Sequence, residues 1–283
     1  MRRYEMEHGE IICNVCMHRC RLKEGQIGRC RARKNEKGRS YPINYGHITS
    51  LALDPIEKKP LACFYPGSLI LSVGSFGCNL NCPFCQNHSI AMAGQKEVET
   101  LVVTPEALAR EAYEARNRGN IGVAFTYNEP LVGYEFVRDT AKLVHEYGMK
   151  NVVVTNGSLS EEAANEILPY IDAYNIDLKG FEQTYYDKLG GSLEYVKTFI
   201  QLAANYAHVE ITTLVVPGEN DTSEEIGRLA KWLASIDKDM PLHLTRFFPR
   251  RNMKDKEATN IDLLFQLQKE AKKYLNRVFV GNV

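Results

Sequence analysis

The chain has 283 residues, 44% of them hydrophobic and 25% charged, and its 35 basic and 35 acidic side chains give a formal net charge of zero. These proportions are typical of a globular protein and exclude a disordered chain. No apolar run approaches the roughly 20 residues that a membrane-spanning helix needs, which excludes an integral membrane protein. The first residues hold no apolar signal-peptide core, so we expect a cytoplasmic protein whose length suits one α/β barrel.

Eight cysteines form two groups and one isolated residue. In the reducing cytoplasm, grouped cysteines are more often metal ligands or catalytic thiols than disulfide partners. The isolated residue, Cys63, is expected to be a packed free thiol. The two groups, which we expect to bind metal, are Cys13, Cys16, Cys20 and Cys30 near the start of the chain and Cys78, Cys82 and Cys85 further along.

The first 40 residues form a basic segment, with eleven Lys or Arg against five Glu. A basic segment can contact phosphate groups, but a solvated cysteine-rich knuckle is the simpler interpretation. We therefore predict a small cysteine-rich metal-binding module over residues 1–40. A connecting segment of loop and short strands is expected over residues 41–68.

From residue 69 onward, short β-branched runs alternate with helical stretches, which is the pattern of successive βα units. Thr104 before Pro105 marks one helix start, and Thr222 with Glu225 marks another as a capping box. Six units, rather than eight, predict an α/β fold: a partial (βα)6 TIM-like barrel over residues 69–283, with one open side. The predicted strands begin at Leu69, Ile121, Asn151, Ala173, Val209 and Leu242.

The stretch GCNLNCPFCQN, residues 77–87, places three thiols directly after the first predicted strand. Chemistry in βα barrels takes place at the C-terminal ends of the strands, so this loop is a candidate active site. Three thiolates can hold three irons of a [4Fe-4S] cluster and leave the fourth iron open to another ligand. The alternative is a Cys₃His zinc knuckle in which His88 supplies the fourth ligand.

The spacing CxxxCxxC, with Phe84 directly before the last cysteine, resembles the signature of the radical S-adenosylmethionine (SAM) superfamily. Motifs at or just after the predicted strand ends extend the resemblance: FTYNEP, VTNG, NIDLKG, VVPGEND and HLTRFFP. Together with PIEKKPL, they are similar to the radical SAM enzymes of the AmmeMemoRadiSam system, relatives of the pyruvate formate-lyase activating enzymes. The resemblance implies a [4Fe-4S] cluster on the three loop cysteines and argues against the zinc knuckle.

In this superfamily SAM chelates the open iron, and the reduced cluster cleaves it to a 5′-deoxyadenosyl radical that abstracts hydrogen from a substrate. Glu129 lies where activating enzymes carry Gly-Gly-Glu-Pro, so the resemblance implies a hydrogen bond from the cofactor's amino group to Glu129. The alternative is a carboxylate that caps the following helix. Tyr127 and Asn128 replace the two glycines, and we count Asn128 among the expected cofactor contacts.

Asp177 and Lys179 are two residues apart at the end of the fourth strand, so both side chains can point toward the barrel interior. They would bind the ribose hydroxyls and carboxylate of the cofactor, or form a salt bridge, and these interpretations are compatible. His243 is more often a satisfied core residue than a catalyst. The remaining expected cofactor contacts are Phe84, Asn156, Val216 and Arg246.

The four early cysteines are spaced C-x₂-C-x₃-C-x₉-C, which is a complete ligand set for a tetrahedral site. Structural zinc and an auxiliary [4Fe-4S] cluster are both compatible with four thiolates. Zinc is slightly favoured because C-x₂-C begins many zinc sites.

Three functions are considered: a radical SAM enzyme acting on a small molecule or nucleic acid, a glycyl-radical enzyme activase acting on a partner protein, and a non-enzymatic metal-binding module. The last would lack the strand-end motifs. Tyr127 and Asn128 favour a target smaller or more polar than the glycine loop of a protein. The resemblance also implies a low-potential electron donor, such as flavodoxin or ferredoxin, and a Memo-like partner protein.

Overall fold

The computed structural model describes residues 9–283, so residues 1–8 of the predicted N-terminal module lie outside the described residues. Within this range the strands are β1 (Ile11–Ile12), β2 (Arg21–Leu22), β3 (Arg33–Glu36), β4 (Arg39–Pro42), β5 (His47–Ile48), β6 (Ser50–Pro55), β7 (Leu69–Gly74), β8 (Leu101–Val102), β9 (Asn120–Phe125), β10 (Lys150–Thr155), β11 (Ala173–Asp177), β12 (His208–Val215), β13 (Leu242–Arg246) and β14 (Val278–Gly281). The helices are α1 (His88–Ala91), α2 (Pro105–Glu114), α3 (Tyr134–Glu146), α4 (Glu161–Ile167), α5 (Gln183–Leu189), α6 (Leu193–Ala203), α7 (Ser223–Ile236) and α8 (Ile261–Ala271).

The main sheet has eight strands in the order β14-β13-β12-β11-β10-β9-β7-β6. The six predicted strands are β7 and β9 to β13, and neighbours among them pair in parallel. The sheet is longer than predicted by one strand at each edge: β14 pairs in parallel with β13, and β6 pairs antiparallel with β7. The predicted α/β partial barrel is confirmed, and strand β6 comes from within the segment 41–68.

The two faces of the sheet carry different side chains. The outward residues, such as Tyr174 and Ile176 of β11, belong to the large apolar core that the strands share with the helices. The inward residues are smaller and more polar, and Asn175 accepts a hydrogen bond from Thr212 of β12 at 3.0 Å. Because successive strand residues alternate between faces, the barrel encloses a polar interior.

The segment after β6 fills the end of the barrel opposite the cysteine loop. Glu210 fixes this segment, because its carboxylate accepts hydrogen bonds from the backbone N–H groups of Ala62 (3.0 Å) and Cys63 (2.8 Å). Between strands β6 and β14 the barrel remains open, and a cavity of about 570 Å³ lies there. The apolar plug of this end consists of Ile56, Leu61, Ile70, Ala124, Val152 and Ala173.

Both predicted helix starts are confirmed, but the capping box is only half formed. The Thr104 hydroxyl accepts a hydrogen bond from the N–H of Ala107 at 3.2 Å, and Thr222 accepts one from Glu225 at 3.2 Å. The Glu225 carboxylate does not complete the box, because it accepts the N–H of Phe181 at 2.6 Å. The Glu225 side chain therefore makes a tertiary hydrogen bond to Phe181 instead of the local bond at the helix start that the motif predicted.

The cysteine-rich module packs directly on the barrel. The buried Arg33 guanidinium donates to both carboxylate oxygens of Glu135 on α3, at 2.6 and 2.8 Å, and to the carbonyl of Val132 at 2.9 Å. The N–H of Ser160 donates to the carbonyl of Val15 at 2.9 Å.

No helix within residues 9–283 combines the length and the apolar character needed to cross a bilayer.

Candidate active site

Gly77 determines how the cysteine loop leaves β7. Its φ is +89°, and a Cβ at this position would lie 2.6 Å from the carbonyl oxygen of Cys30 and 2.7 Å from Cβ of Ala32. Glycine alone combines this left-handed backbone with so close an approach. The next residue, Cys78, donates its N–H to the same Cys30 carbonyl at 3.1 Å. The loop is thus held against the N-terminal module.

The three loop thiols gather at the C-terminal end of the barrel. Cys78, Cys82 and Cys85 share an apolar cluster with Phe84, among others. Burial raises the pKa of all three thiols, to about 11 for Cys82. The positive charge of Lys179 opposes this rise at Cys82 and Cys85, so the thiols face a cation across the barrel mouth.

The donor set fits a cluster of several irons rather than a single ion. Among residues 9–283, no group of three or more His, Cys, Asp or Glu side chains is placed to hold one metal ion. In a [4Fe-4S] cluster each cysteine binds a different iron, so the three sulfur atoms need not share one coordination sphere. His88 has its Nδ1 3.1 Å from the carbonyl oxygen of Cys85 in an exposed position. The described residues therefore form no Cys₃His zinc site.

Glu129 is buried beside the cysteine loop. Its carboxylate accepts hydrogen bonds from the N–H of Leu131 (3.0 Å), the hydroxyl of Thr155 (2.7 Å) and the N–H of Asn156 (2.7 Å). Burial raises the pKa of Glu129 to about 7, and the charge of Glu129 in turn raises the pKa of Cys78. The helix-capping geometry is therefore present. The carboxylate oxygens still have lone pairs for a further donor.

Asn156 lies between Glu129 and the cysteine loop. Its Nδ2 donates to Oδ1 of Asn79 at 2.8 Å and lies 3.7 Å from Sγ of Cys78. Its Oδ1 accepts the N–H of Ser158 at 2.9 Å. The side chain thus ties the loop after β10 to the first loop cysteine.

Asn128 is hydrogen-bonded to the backbone of the cysteine loop. Its Nδ2 donates to the carbonyls of Phe76 (3.1 Å) and Gly77 (3.0 Å), and its Oδ1 accepts the N–H of Ser75 (3.0 Å). Both N–H groups of the amide are used by the loop backbone. Asn128 therefore holds the cysteine loop in place, and its contact with the cofactor stays a prediction.

Asp177 and Lys179 point the same way and form an ion pair, with Lys179 Nζ 2.9 Å from Asp177 Oδ2. Burial lowers the pKa of Lys179, but the charges of Asp177 and Cys82 outweigh it and raise the pKa well above its usual value. The salt bridge that we considered as an alternative is present. The pair also lies close enough to Cys82 for both charges to shift its pKa, which is the position expected of residues that contact a cofactor at the cysteine loop.

Phe84 and Val216 lie in the same buried cluster as Cys82. Arg246 is directed away from them, because its Nε donates to the carbonyl of Thr259 at 2.8 Å and its guanidinium lies 5.0 Å from the ring centre of Phe248. The structure brings Phe84 and Val216 to the thiols and gives Arg246 partners on the following loop.

Arg251 contacts the cysteine loop and was not among the residues predicted for the site. Its Nη1 donates to the carbonyl of Cys82 at 2.7 Å, and its Nη2 donates to Oδ1 of Asn81 at 2.8 Å. The signal that would have identified it is the basic run PRR directly after HLTRFF. Arg251 thus fastens the cysteine loop to the chain segment that follows β13.

Tyr127 projects across the barrel interior. Its φ is +72°, and its hydroxyl donates to Oδ2 of Asp54 on β6 at 2.8 Å. The ring passes over Gly74 of β7, where a Cβ would lie only 2.8 Å from it. The backbone carbonyl of Tyr127 accepts a hydrogen bond from Asn87, two residues after Cys85, at 2.7 Å. One residue thus connects the cysteine loop with the open side of the barrel.

The four early cysteines lie close to one another in the module. Burial raises the pKa of Cys16 to about 12, and the charges of Cys30 and Cys13 add to the rise. Burial also raises the pKa of Cys30, with Cys13 and Cys20 contributing. All eight cysteines of the chain are free thiols.

The chain matches the family model of the radical SAM superfamily over residues 72–233, which run from β7 into α7 and include the cysteine loop. The uncharacterized protein MJ0808 of Methanocaldococcus jannaschii is 37% identical over 99% of this chain and 83% of its own length. The pyruvate formate-lyase-activating enzyme of Clostridium pasteurianum is 30% identical, over 56% of this chain and 67% of that enzyme.

The crystal structure of Streptococcus suis SuiB bound to S-adenosylmethionine shares the fold, with a TM-score of 0.59 at 15% identity. The similarity covers 75% of this chain and 51% of the SuiB chain. These matches confirm the family that the cysteine spacing indicated, and the family uses a [4Fe-4S] cluster and SAM. The chain belongs to the radical SAM superfamily and is an enzyme of radical chemistry related to the pyruvate formate-lyase activating enzymes.

Proposed function

We propose that the enzyme reductively cleaves SAM at a [4Fe-4S] cluster bound by Cys78, Cys82 and Cys85, and that the 5′-deoxyadenosyl radical abstracts hydrogen from a small polar substrate. The observation that carries this proposal is the placement of the three thiols with Glu129 and Lys179 at the C-terminal end of one barrel. βα barrels hold their reacting groups there.

The surrounding residues have distinct roles in this proposal. The Glu129 carboxylate accepts a hydrogen bond from the ammonium group of SAM, and Lys179 attracts the SAM carboxylate. Asp177 accepts hydrogen bonds from the ribose hydroxyls. Phe84 and Val216 provide an apolar wall for the adenine and help to exclude water from a reactive radical.

The other three expected contacts have secondary roles in cofactor binding. Asn156 reaches the ribose or the cofactor from its place beside Cys78. Arg246 contributes only if its guanidinium leaves Phe248 and Thr259, so we assign it the cofactor carboxylate as a secondary contact. Asn128 acts on the cofactor through the loop backbone that it holds.

The size of the substrate is inferred from Tyr127. In an activase the glycine loop of a partner protein must reach the radical, and two glycines leave room beside the glutamate. Here the Tyr127 ring crosses the interior to Asp54 and occupies part of that space. A small polar molecule fits the remaining cavity better than a polypeptide loop.

A glycyl-radical activase is the second candidate, and the 30% identity with the Clostridium pasteurianum activating enzyme favours it. The test is to mix the reduced enzyme and SAM with glycyl-radical enzymes from the same source and to record electron paramagnetic resonance spectra. We expect no radical signal. A stable glycyl doublet would replace the small-molecule proposal by the activase.

For the N-terminal module, residues 1–40, we propose a metal site on Cys13, Cys16, Cys20 and Cys30, either structural zinc or an auxiliary [4Fe-4S] cluster. The support is the mutual charge interaction of these thiols, of which Cys13, Cys16 and Cys30 are buried. Within residues 9–283 no three of them are placed around a single ion, so binding of one zinc ion requires the thiols to move closer together. Metal analysis of a variant that lacks the loop cluster separates the two metals, and absence of both would refute the site. The connecting segment 41–68 and the barrel 69–283 complete the proposed domain division.

Partners and location follow from the same chemistry. A low-potential donor such as flavodoxin or ferredoxin would reduce the cluster, and a Memo-like protein is proposed as a further partner from the family resemblance. We propose a cytoplasmic location, because grouped cysteines are more often metal ligands than disulfide partners in a reducing compartment.

The central test uses anaerobically reconstituted enzyme with SAM and dithionite, and measures 5′-deoxyadenosine. Cys78→Ala should abolish its formation, because a three-thiolate site has no spare ligand. Cys63→Ala is the matched control, since Cys63 is a free thiol outside the loop, and it should keep the native rate. Formation of 5′-deoxyadenosine by Cys78→Ala at the native rate would refute the proposed cluster.

A further inference from the structure

The cavity at the open side of the barrel, between β6 and β14, contains a buried cation. We propose that this cavity binds a small organic anion, a carboxylate or a phosphate monoester, through Lys59, and that the anion is the substrate. The identification as substrate rests on the proposed function, whereas anion binding itself does not.

Lys59 is only 2% exposed and lines the cavity. Its ammonium makes one hydrogen bond to the described residues, to Asp54 Oδ2 at 2.9 Å, and its Nζ lies 4.8 Å from the centre of the Tyr127 ring. An ammonium has three N–H donors, and buried donors normally have acceptors. Within residues 9–283, Lys59 therefore has donor capacity that a ligand in the cavity can satisfy.

Asp54 and Lys59 form a buried pair of opposite charges, and the largely exposed Lys58 adds a positive charge at its edge. Two lysines share this one carboxylate, with Lys58 Nζ 3.1 Å from Oδ1 and Lys59 on Oδ2. The Tyr127 hydroxyl donates to the same carboxylate and stabilises its ionised form. The Asp54 charge is thus shared between two lysines, and an anion bound beside Lys59 would give its buried ammonium a second acceptor.

Other charged groups on the cavity wall already have partners. The Glu57 carboxylate is exposed and accepts the N–H of Gly67 at 2.6 Å. His243 lies with its Nε2 2.6 Å from the Glu210 carboxylate and stacks on Phe279, with ring centres 5.1 Å apart. None of these side chains competes with a ligand for Lys59.

The remaining wall suits a small organic molecule. The volume of about 570 Å³ lies within the roughly 300–1,000 Å³ of small-molecule sites, and Pro60, Leu61 and Phe279 add apolar surface. Lysine is a point charge without the planar fork of arginine, so the site accepts a carboxylate or a phosphate. The Tyr127 ring forms the wall toward the cysteine loop, and the Tyr127 carbonyl accepts a hydrogen bond from Asn87 of that loop, so a single residue separates the cavity from the loop.

The test is isothermal titration calorimetry with two anionic probes, glutarate and glycerol 3-phosphate, and their neutral counterparts glutaramide and glycerol. We expect at least one anion to bind at least tenfold more tightly than its neutral counterpart. Lys59→Met should reduce that affinity by about ten- to a hundredfold, the value of a charged hydrogen bond. Lys188→Met is the control, because Lys188 pairs with Glu219 away from the cavity, and it should bind the anion as the native enzyme does.

If Lys59→Met does not fold, the double variant Asp54→Asn with Lys59→Met removes the pair without leaving a lone buried charge. Binding by glutarate alone would assign a carboxylate, and binding by glycerol 3-phosphate alone would assign a phosphate. Equal binding of anions and neutral counterparts, or full affinity in the variants, would overturn the anion site.

Cys78→Ala separates this inference from the proposed function, because Cys78 does not line the cavity. We expect this variant to lose SAM cleavage and to bind the anion within twofold of the native affinity. Anion binding together with unimpaired SAM cleavage would refute the cluster and keep the anion site. In the unsubstituted enzyme, SAM cleavage without any anion binding would refute the anion site alone.

Discussion

At the residue scale, Glu129 is subject to two opposing influences on its pKa. Its carboxylate is almost fully buried, which raises its pKa to about 7, yet three donors already bind it. Helix capping alone does not require such depth, because an exposed acid serves a helix start equally well. A buried carboxylate near a cofactor site is well suited to receive a cation.

Replacing Glu129 by Gln should therefore weaken SAM binding without loss of the cluster. The amide keeps the shape but loses the charge that attracts the SAM ammonium, so we expect the affinity to fall about ten- to a hundredfold. Equilibrium dialysis with labelled SAM measures the affinity, and iron analysis checks the cluster content. Glu166→Gln, which removes the exposed partner of Arg138, is the control. Unchanged affinity in Glu129→Gln would leave Glu129 as a helix cap.

The sequence predicted where the site residues lie better than where their side chains point. Cys78, Glu129 and Lys179 follow strand ends, and strand ends meet at one edge of a parallel barrel. The directions of Tyr127 and Asn128 depend on a φ of +72° at Tyr127 and on the open space over Gly74. A backbone dihedral of that kind in a non-glycine residue has no local sequence signal, so only the folded chain shows it.

At the element scale, the two edge strands show what the sequence pattern does not predict. Strand β6 exposes Leu51 and ends at Pro55, so it lacks the buried apolar run that marks the central strands. Strand β14 has four residues, and three of them are half-buried. Both strands can be identified from the strands they pair with but not from their own residue pattern. Strand β11, in contrast, begins and ends where its sequence predicted.

The contact between the cysteine loop and the N-terminal module is tested by Gly77→Ala. A left-handed backbone costs about 1–2 kcal/mol for alanine, and here the new Cβ would also meet Cys30 and Ala32. Gly190→Ala is the matched control, because Gly190 has a similar φ of +70° with nothing within 4 Å of its Cβ position. We expect Gly190→Ala to keep its full iron content and Gly77→Ala to lose iron and at least twice as much free energy of unfolding. Equal behaviour of the two variants in urea unfolding and iron analysis would show that the loop does not depend on the module.

At the scale of the whole molecule, the barrel is closed at one end by its own connecting segment. Glu210 of β12 binds the backbone of Ala62 and Cys63, and it also lies 2.9 Å from His208 and 2.6 Å from His243. A single buried carboxylate thus joins two strands to the segment that leads from β6 to β7. The closed end leaves the cysteine loop and the open side as the routes into the barrel.

Glu210→Gln should destabilise the protein in a pH-dependent way. Burial raises the pKa of Glu210, but the two histidines and two N–H groups outweigh it and lower the pKa from 4.5 to about 2. Because the folded pKa lies below the unfolded one, ionised Glu210 stabilises the fold above pH 4.5, and this contribution is lost as the pH falls toward 2. The shift corresponds to about 3 kcal/mol, so we expect a loss of that size at pH 7 and a smaller difference from the native protein near pH 3. Urea unfolding at both pH values measures this difference, with Glu182→Gln as the control.

Glu182 pairs with Arg228 at the surface, where an ion pair contributes at most about 1 kcal/mol. A loss for Glu210→Gln that is as small as the control, or one that does not change with pH, would show that Glu210 does not hold the barrel closed.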